Sequence, residues 1–253
     1  DAKTLSKIST GKKENKFGVN NQTFIEILNY CKNSKNINLK CLSVHIGSQI
    51  LDYKPYIKML AVVSKFLDKI NYKFEFIDLG GGMGISYDNN KKRLNYKKYN
   101  SVIEKFLQKH KSKIIFEPGR SIIGNTGILI SKVIYIKNNG SKSFIILDTA
   151  MNDLMRPALY GAYHKILPSK KTNKNSNRIY DFVGPICEST DKFCSLKKFQ
   201  KLEENDLIVM CDVGAYGMSL SSNYNLRPKP VELLINGSKI KVIKKRQKHK
   251  ELI

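Results

Sequence analysis

Three short apolar runs in the first half of the chain each end in a polar, turn-prone segment. Leu42-Ser43-Val44-His45-Ile46 runs into Gly47-Ser48, Phe74-Glu75-Phe76-Ile77-Asp78-Leu79 into Gly80-Gly81-Gly82, and Lys113-Ile114-Ile115-Phe116 into Glu117-Pro118-Gly119-Arg120. His45, Gly80 and Glu117 stand roughly 35 residues apart, the length of a strand-helix-strand unit. Helical periodicity fills the gaps. Tyr56, Met59, Leu60, Val63, Phe66, Leu67 and Ile70 recur at three- and four-residue steps, and Tyr99, Val102, Ile103, Phe106 and Leu107 repeat the pattern. An earlier unit pairs Lys16-Phe17-Gly18-Val19 with a helix around Phe24, Ile27 and Leu28. Repeated βα units predict parallel strands with helices outside, as a barrel or a doubly wound sheet. In either, chemistry gathers at the C-terminal strand ends. His45, Gly80 to Gly82 and Glu117 to Arg120 all fall there.

After about Ser121 the helical period gives way to short β-like runs at Gly127–Ile136, Phe144–Leu147, Arg178–Val183, Asp206–Asp212 and Val231–Ile235. They predict an antiparallel β domain. The expected division is 1–121 for an α/β domain and 122–253 for the β domain with a basic tail. Ser169 to Asn177, rich in lysine and asparagine, is expected to be an exposed, mobile loop.

A length of 253 residues with 41% apolar residues suits a folded chain of one large or two modest domains. No apolar run approaches the ~20 residues that span a bilayer, and the charged opening from Asp1 to Lys16 does not read as a signal peptide. Five cysteines without paired metal spacing argue against a disulfide framework and for a reducing cytoplasm. Cys31, Cys41 and Cys211 read as inert core thiols. A formal charge of +24 raises nucleic acid as a partner. Lysine, however, outnumbers arginine and is scattered, with no arginine stripe, zinc-finger spacing or aromatic-basic signature. No nucleic-acid or membrane partner is expected, and Lys239 to Lys250 reads as a solvated face.

Several residues carry possible chemistry. Gly80 to Gly82, between a strand and a helix, lets backbone N–H groups approach an anion, and serves equally as a tight turn. Gly119-Arg120 would add donors and a fixed positive charge. Glu117 could keep a neighbouring basic group protonated or cap the next turn; His45 could stack on a planar ring or be structural. Arg156 could grip a carboxylate through two parallel hydrogen bonds, with Tyr160 assisting, or be a surface arginine. Tyr216 in Gly214-Ala215-Tyr216 could contact a ligand or pack. In Gly184-Pro185-Ile186-Cys187-Glu188-Ser189-Thr190-Asp191 a thiol stands beside a carboxylate. Cys187 could donate a proton and Glu188 could bind an ammonium group, or the segment could be an ordinary turn.

An ordered series of such segments resembles the fold-type III pyridoxal-phosphate decarboxylases, most closely the diaminopimelate decarboxylases. It comprises Thr10-Gly11 through Lys16-Phe17-Gly18, His45 to Ile50, Asp78 to Gly84, Glu117 to Thr126, Arg156 to His164, Gly184 to Asp191 and Asp212 to Tyr216. The resemblance implies the C-terminal part of a (β/α)8 TIM-type barrel followed by an antiparallel β domain, with pyridoxal 5'-phosphate as cofactor. It implies that His45 stacks on the cofactor ring and that Glu117, in the Glu117-Pro118-Gly119-Arg120 element, pairs with its nitrogen. Ser48, Gly80, Gly81, Gly82, Gly119 and Arg120 would surround the phosphate, and Tyr216 would touch cofactor and substrate. Arg120, Arg156, Tyr160 and Glu188 would hold the unreacting end of the substrate. Cys187 would protonate the product from a partner subunit, implying a homodimer with shared sites.

The implied reaction is decarboxylation of meso-2,6-diaminopimelate to L-lysine and CO2, the last step of lysine biosynthesis. Ornithine-type relatives carry Cys-Asp where this chain has Cys187-Glu188. Another amino-acid decarboxylase of the same fold (ornithine- or arginine-like) and a non-catalytic homologue are the alternatives. The family's Tyr-Ala-x-Lys-Ala-Asn element, whose lysine forms the Schiff base, is absent; Tyr30-Cys31-Lys32-Asn33 comes in the wrong order. The chain therefore reads as a fragment or as half of a split enzyme, expected by itself to aggregate or stay partly unfolded and to be inactive.

Overall fold

A computed structural model describes residues 16–88 and 92–253. Thr10 and Gly11, at the start of the resemblance, lie outside the described residues. The chain divides into two compact units, Asp1–Ile122 and Ile123–Ile253.

The first unit is α/β. Its described elements are helix α1 (Asn21–Lys32), strand β1 (Cys41–Ser43), α2 (Lys54–Ile70), β2 (Phe76–Asp78), α3 (Tyr96–His110), β3 (Lys113–Ile115) and the start of a short α4 (Arg120–Ile123). The strands form a parallel sheet in the order β1-β2-β3, pairing Leu42 with Ile77 and Ile77 with Ile114. Each helix has a local reason to start or stop. The Asn20 side chain accepts from Thr23 N–H and the Asn95 side chain from Lys98 N–H, both as N-caps. Asn71 (φ 43°) and Lys111 (φ 51°) end α2 and α3 in the left-handed conformation. The apolar stripe of α2 (Tyr56, Met59, Leu60, Val63 and Leu67) is buried against Phe74, Ile77 and Leu79 from the sheet.

Two details differ from the sequence reading. Residues 16–19 form no strand: Gly18 takes a positive φ of 70° that breaks extended geometry, and Phe17 is exposed. The three strands are also shorter than their apolar runs, although strand-like hydrogen bonds continue past them. Val44 N–H donates to Asp78 O (2.9 Å), Leu79 N–H to Ile115 O (3.0 Å) and Glu117 N–H to Gly80 O (2.9 Å).

In the second unit, β4 (Leu129–Asn139), β5 (Lys142–Leu147), β6 (Ile166–Pro168), β7 (Ile179–Val183), β8 (Lys192–Leu196) and β9 (Leu207–Met210) form one six-stranded sheet of order β6-β9-β4-β5-β7-β8. A five-residue helix, α5 (Arg156–Tyr160), lies in the connection between β5 and β6. Val133, Ile145, Leu147, Phe182, Ile208 and Met210 are fully buried in its core. The expectation of a purely antiparallel domain is corrected here, because β5 and β7 pair in parallel. A hairpin cannot join parallel neighbours, and the long excursion through α5 and β6 supplies the crossover. Strands β10 (Glu232–Asn236) and β11 (Lys239–Lys244) form a separate antiparallel hairpin. The basic tail is thus partly a strand.

The segment 169–177 is largely exposed, but it is tied down. Gln200 bridges it by accepting from Thr172 N–H (3.1 Å) and donating to Lys170 O (2.8 Å). Among the described residues no helix is long and apolar enough to cross a membrane.

Candidate active-site residues

At the C-terminal ends of β1 to β3 three loops interlock through glycine. Gly80 (φ 63°) and Gly82 (φ 86°) occupy left-handed backbone that L side chains resist. A Cβ on Gly80 would lie 2.7 Å from His45 Nδ1, one on Gly81 would lie 2.2 Å from Glu117 O, and one on Gly82 would lie 2.3 Å from Gly47 O. Glycine at 81 and 82 therefore lets β2 end against the backbone of the other two loops. Buried Asp78 sets the turn: its Oδ1 accepts from Gly80 N–H (2.8 Å) and its Oδ2 from Ser43 Oγ (3.0 Å). Gln49 ties the neighbouring loop down, donating to Ile85 O (2.5 Å) and accepting from Ile85 N–H (3.2 Å).

These interlocked loops bring together several of the expected residues. His45 lies against Gly80, and Glu117, which is exposed, has its backbone against Gly81. Arg120 is 7% exposed, at the first position of α4. Its Nη2 donates to Ser48 Oγ (3.3 Å), its Nη1 donates to the Tyr87 hydroxyl, and its guanidinium sits 5.6 Å from the Tyr87 ring centroid. Pro118 and Gly119 lead into α4, and a Cβ on Gly119 would meet open space. A fixed guanidinium, a hydroxyl and a glycine backbone free of side chains are the donor set of an anion cradle. One detail departs from a simple glycine cradle: the N–H of Gly80 is committed to Asp78, so that residue shapes the turn.

The second unit carries the other expected residues. Arg156 opens α5 and is 6% exposed, so the surface-arginine reading does not describe it. Its Nη1 donates to His164 Nε2 at 2.7 Å, while His164 Nδ1 lies 2.9 Å from Cys211 O. Because a carbonyl only accepts, Nδ1 carries the proton and Nε2 is the acceptor for Arg156. Tyr160 stands one turn further along the same helix and is half-buried.

Cys187 and Glu188 are both exposed on the turn between β7 and β8. The turn is held from inside by Asp191, which is 2% exposed. Its Oδ2 accepts from Ile186 N–H (2.8 Å) and its Oδ1 from Met151 N–H (2.7 Å). Burial pushes the Asp191 carboxyl up despite these two bonds. A Cβ on Gly184 would lie 2.3 Å from Asp191 Oδ2, which explains the glycine. Both oxygens of Glu188 are engaged: Oε1 accepts from the Tyr224 hydroxyl and Oε2 from Thr190 Oγ1 (3.1 Å). Tyr216 is 45% exposed with φ 62°, a left-handed conformation costly for an aromatic residue.

Asp78, Tyr87, His164, Asp191 and Tyr224 were not singled out from the sequence. Each acts by holding another residue, and a partner distant in sequence leaves no local pattern. The cysteines also sort more finely than expected. Cys31, Cys41 and Cys211 are partly rather than fully buried, and burial pushes the thiols of Cys41 and Cys211 up. Cys194 is raised to about 12 by burial.

Residues 19–214 match the family described as pyridoxal-dependent decarboxylase, C-terminal sheet domain. The chain belongs to the pyridoxal-dependent decarboxylase family. Among its relatives, the diaminopimelate decarboxylase of Haemophilus influenzae is 40% identical over 255 residues, covering 100% of this chain and 61% of the relative. That of Aquifex aeolicus is 37% identical over 256 residues, again covering 100% of this chain and 61% of the relative. The crystal structure of diaminopimelate decarboxylase from Helicobacter pylori complexed with L-lysine matches with a TM-score of 0.91 at 42% identity, covering 100% of this chain and 63% of that one. This member of the decarboxylase family thus spans about three-fifths of the length of the relatives it matches. The Arg120, Ser48 and glycine arrangement has the chemistry to hold an anionic group such as a phosphate.

Proposed function

We propose that this chain provides cofactor- and substrate-binding residues for a pyridoxal-phosphate-dependent decarboxylation of meso-2,6-diaminopimelate to L-lysine and CO2. The observation that carries the reading is Arg156. It is a buried arginine, held by a histidine that accepts from it, with a tyrosine one turn along. A buried, oriented guanidinium suits a planar carboxylate, and diaminopimelate differs from ornithine and arginine in having a second one. The L-lysine in the Helicobacter pylori complex, the product of this reaction, supports the same substrate.

When bound, pyridoxal phosphate supplies an electron sink for the bond that breaks to CO2. Around it, Arg120, Ser48, Gly81, Gly82 and Gly119 would hold the phosphate, with Gly80 and Pro118 shaping the loops. His45 would cover one face of the ring, and Glu117 would keep its nitrogen protonated by direct charge interaction. Tyr216 would contact both cofactor and substrate. Arg120, Arg156 and Tyr160 would hold the distal carboxylate and Glu188 the distal ammonium. Cys187 would deliver its Sγ proton to the carbon that has lost CO2. In this reading 1–121 belongs to a (β/α)8 barrel and 122–253 to the β domain of a cytoplasmic homodimer in which each Cys187 serves the partner's site.

The test is Arg156→Ala in the holoenzyme. The reading expects the KM for diaminopimelate to rise by about 30-fold or more, the loss of a charged hydrogen-bonding pair. An unchanged KM would remove the principal reason for choosing this substrate.

A further inference from the structure

The residues between Ser221 and Arg227 form a strained loop whose shape is fixed at both ends. Asn225 (φ 56°) and Leu226 (φ 52°) are consecutive non-glycine residues in left-handed backbone, a conformation that persists only where its surroundings impose it. Those surroundings centre on buried Asn152. Ser222 N–H donates to Asn152 O (2.9 Å), Asn152 Nδ2 donates to Ser222 O (3.3 Å), and Arg227 Nε donates to Asn152 Oδ1 (3.1 Å). Arg227 Nη2 reaches Asp148 O at 2.5 Å, and Asn223 Nδ2 binds Arg227 O at 2.9 Å. From this loop Tyr224 reaches across to the Cys187-Glu188 turn, where its hydroxyl donates to Glu188 Oε1. The adjoining residue Met151 donates to Asp191, the carboxylate that holds the Cys187-Glu188 turn. One short segment, Met151-Asn152, therefore anchors both the turn bearing Glu188 and the loop bearing Tyr224.

We propose that Tyr224 is a specificity-determining positioning residue, which fixes the Glu188 carboxylate so that it receives the distal ammonium group of a diamino-acid substrate. The inference rests on the substrate reading above. Thr190 Oγ1 restrains Oε2 from the same turn, whereas Tyr224 restrains Oε1 from a separate loop. A carboxylate held at both oxygens keeps one direction for a cation without searching rotamers, which is preorganisation. The hydrogen bond and the charge of Glu188 also raise the Tyr224 phenol, so the hydroxyl stays a donor across the neutral range. Tyr224 itself need not touch the substrate. Its exposure (44%) and its place on a surface loop mean that loss of the hydroxyl leaves the core intact.

The experiment compares wild type, Tyr224→Phe, Glu188→Gln and the double variant in the holoenzyme. L-lysine affinity is read by calorimetry, and KM and kcat are read with diaminopimelate. Tyr224→Phe is expected to weaken L-lysine binding and raise KM by about three- to tenfold, the worth of one ordinary solvent-exposed hydrogen bond, with kcat within about twofold. In the Glu188→Gln background the same change is expected to have no further effect. Equal L-lysine affinity in wild type and Tyr224→Phe would overturn the inference, as would an undiminished effect in the Glu188→Gln background. A wild-type holoenzyme that binds no L-lysine would instead contradict the substrate reading. The pairing is then judged by NMR of ring-labelled tyrosine: a Tyr224 titration unmoved by Glu188→Gln overturns it, and a lowered one supports it.

Discussion

Arg156 and His164 lie 2.7 Å apart, Nη1 to Nε2, both buried in a fold whose surface is crowded with lysine. The pair shows how an arginine is kept oriented away from water: the histidine is locked as an acceptor because its other nitrogen donates to Cys211 O (2.9 Å). Replacing His164 by Phe removes that acceptor. The expected cost is about 1–3 kcal/mol of stability, together with a rise in KM about tenfold larger than any fall in kcat. His164→Gln, which can still accept, should restore part of both. Thermal melts and steady-state kinetics on the three proteins check this, and equal KM values would mean that the pair is purely structural.

The glycine loops make a contrast within a few residues. Gly81→Ala puts a Cβ 2.2 Å from a backbone oxygen and should cost about 1–3 kcal/mol by overpacking. Gly119→Ala meets open space and should stay within about 0.5 kcal/mol of wild type. Denaturant titration of each variant without added cofactor reads the difference, and equal stabilities would show that the three strand ends are less tightly interlocked.

Thiol chemistry should follow exposure. Cys187 is exposed, whereas burial raises Cys194 to about 12. At pH 7.5 iodoacetamide should modify Cys187 at least about tenfold faster than Cys194, as read by peptide mass spectrometry. Cys187→Ala should lower kcat by about 100-fold or more while leaving L-lysine affinity unchanged, the pattern of a lost proton donor. A parallel loss of affinity would point to a binding role instead.

Acid stability of the second unit should depend on Asp181. Burial opposes its ionisation, but Ser195 Oγ (2.5 Å), Lys192 Nζ (3.0 Å) and Lys142 Nζ (3.9 Å) overcome this and hold its carboxyl below the ordinary range. A depressed folded-state value means that the unfolded chain takes up the proton first as pH falls. The stabilisation is complete above the unfolded value near ~3.9 and is lost as pH drops through the lower folded one. Asp181→Asn should therefore be less stable than wild type at pH 7, and the gap should narrow as pH falls below the ordinary carboxylate range. A gap unchanged from pH 7 to pH 2.5 in urea titrations would contradict this assignment.

Much of this was legible in the chain. The period of Tyr56, Met59, Leu60 and Val63 defined α2, and the even spacing of His45, Gly80 and Glu117 placed the parallel strands, because both patterns are local. Three strands went unread for identifiable reasons. Lys192-Phe193-Cys194-Ser195-Leu196 mixes charge with apolar residues, and Ile166-Leu167-Pro168 is too short and ends in proline. In Lys239 to Lys244 the charge masked an alternating strand pattern, although Asn236-Gly237 before it is a hairpin signal and Gly237 takes φ 59°. The parallel pairing of β5 with β7 could not be read, since it depends on where a long connection returns. In the same way the candidate residues were visible one by one, but not the supports beneath them. Asp191 under Cys187 and His164 beside Arg156 are contacts made only in the fold.

The most direct measurement supplies the cofactor-loaded holoenzyme containing this chain with meso-diaminopimelate, L-ornithine and L-arginine in turn, and follows CO2 and the amine formed. The account predicts CO2 from diaminopimelate with one L-lysine for each CO2, and nothing above background from the other two. Decarboxylation of ornithine with diaminopimelate ignored would contradict it.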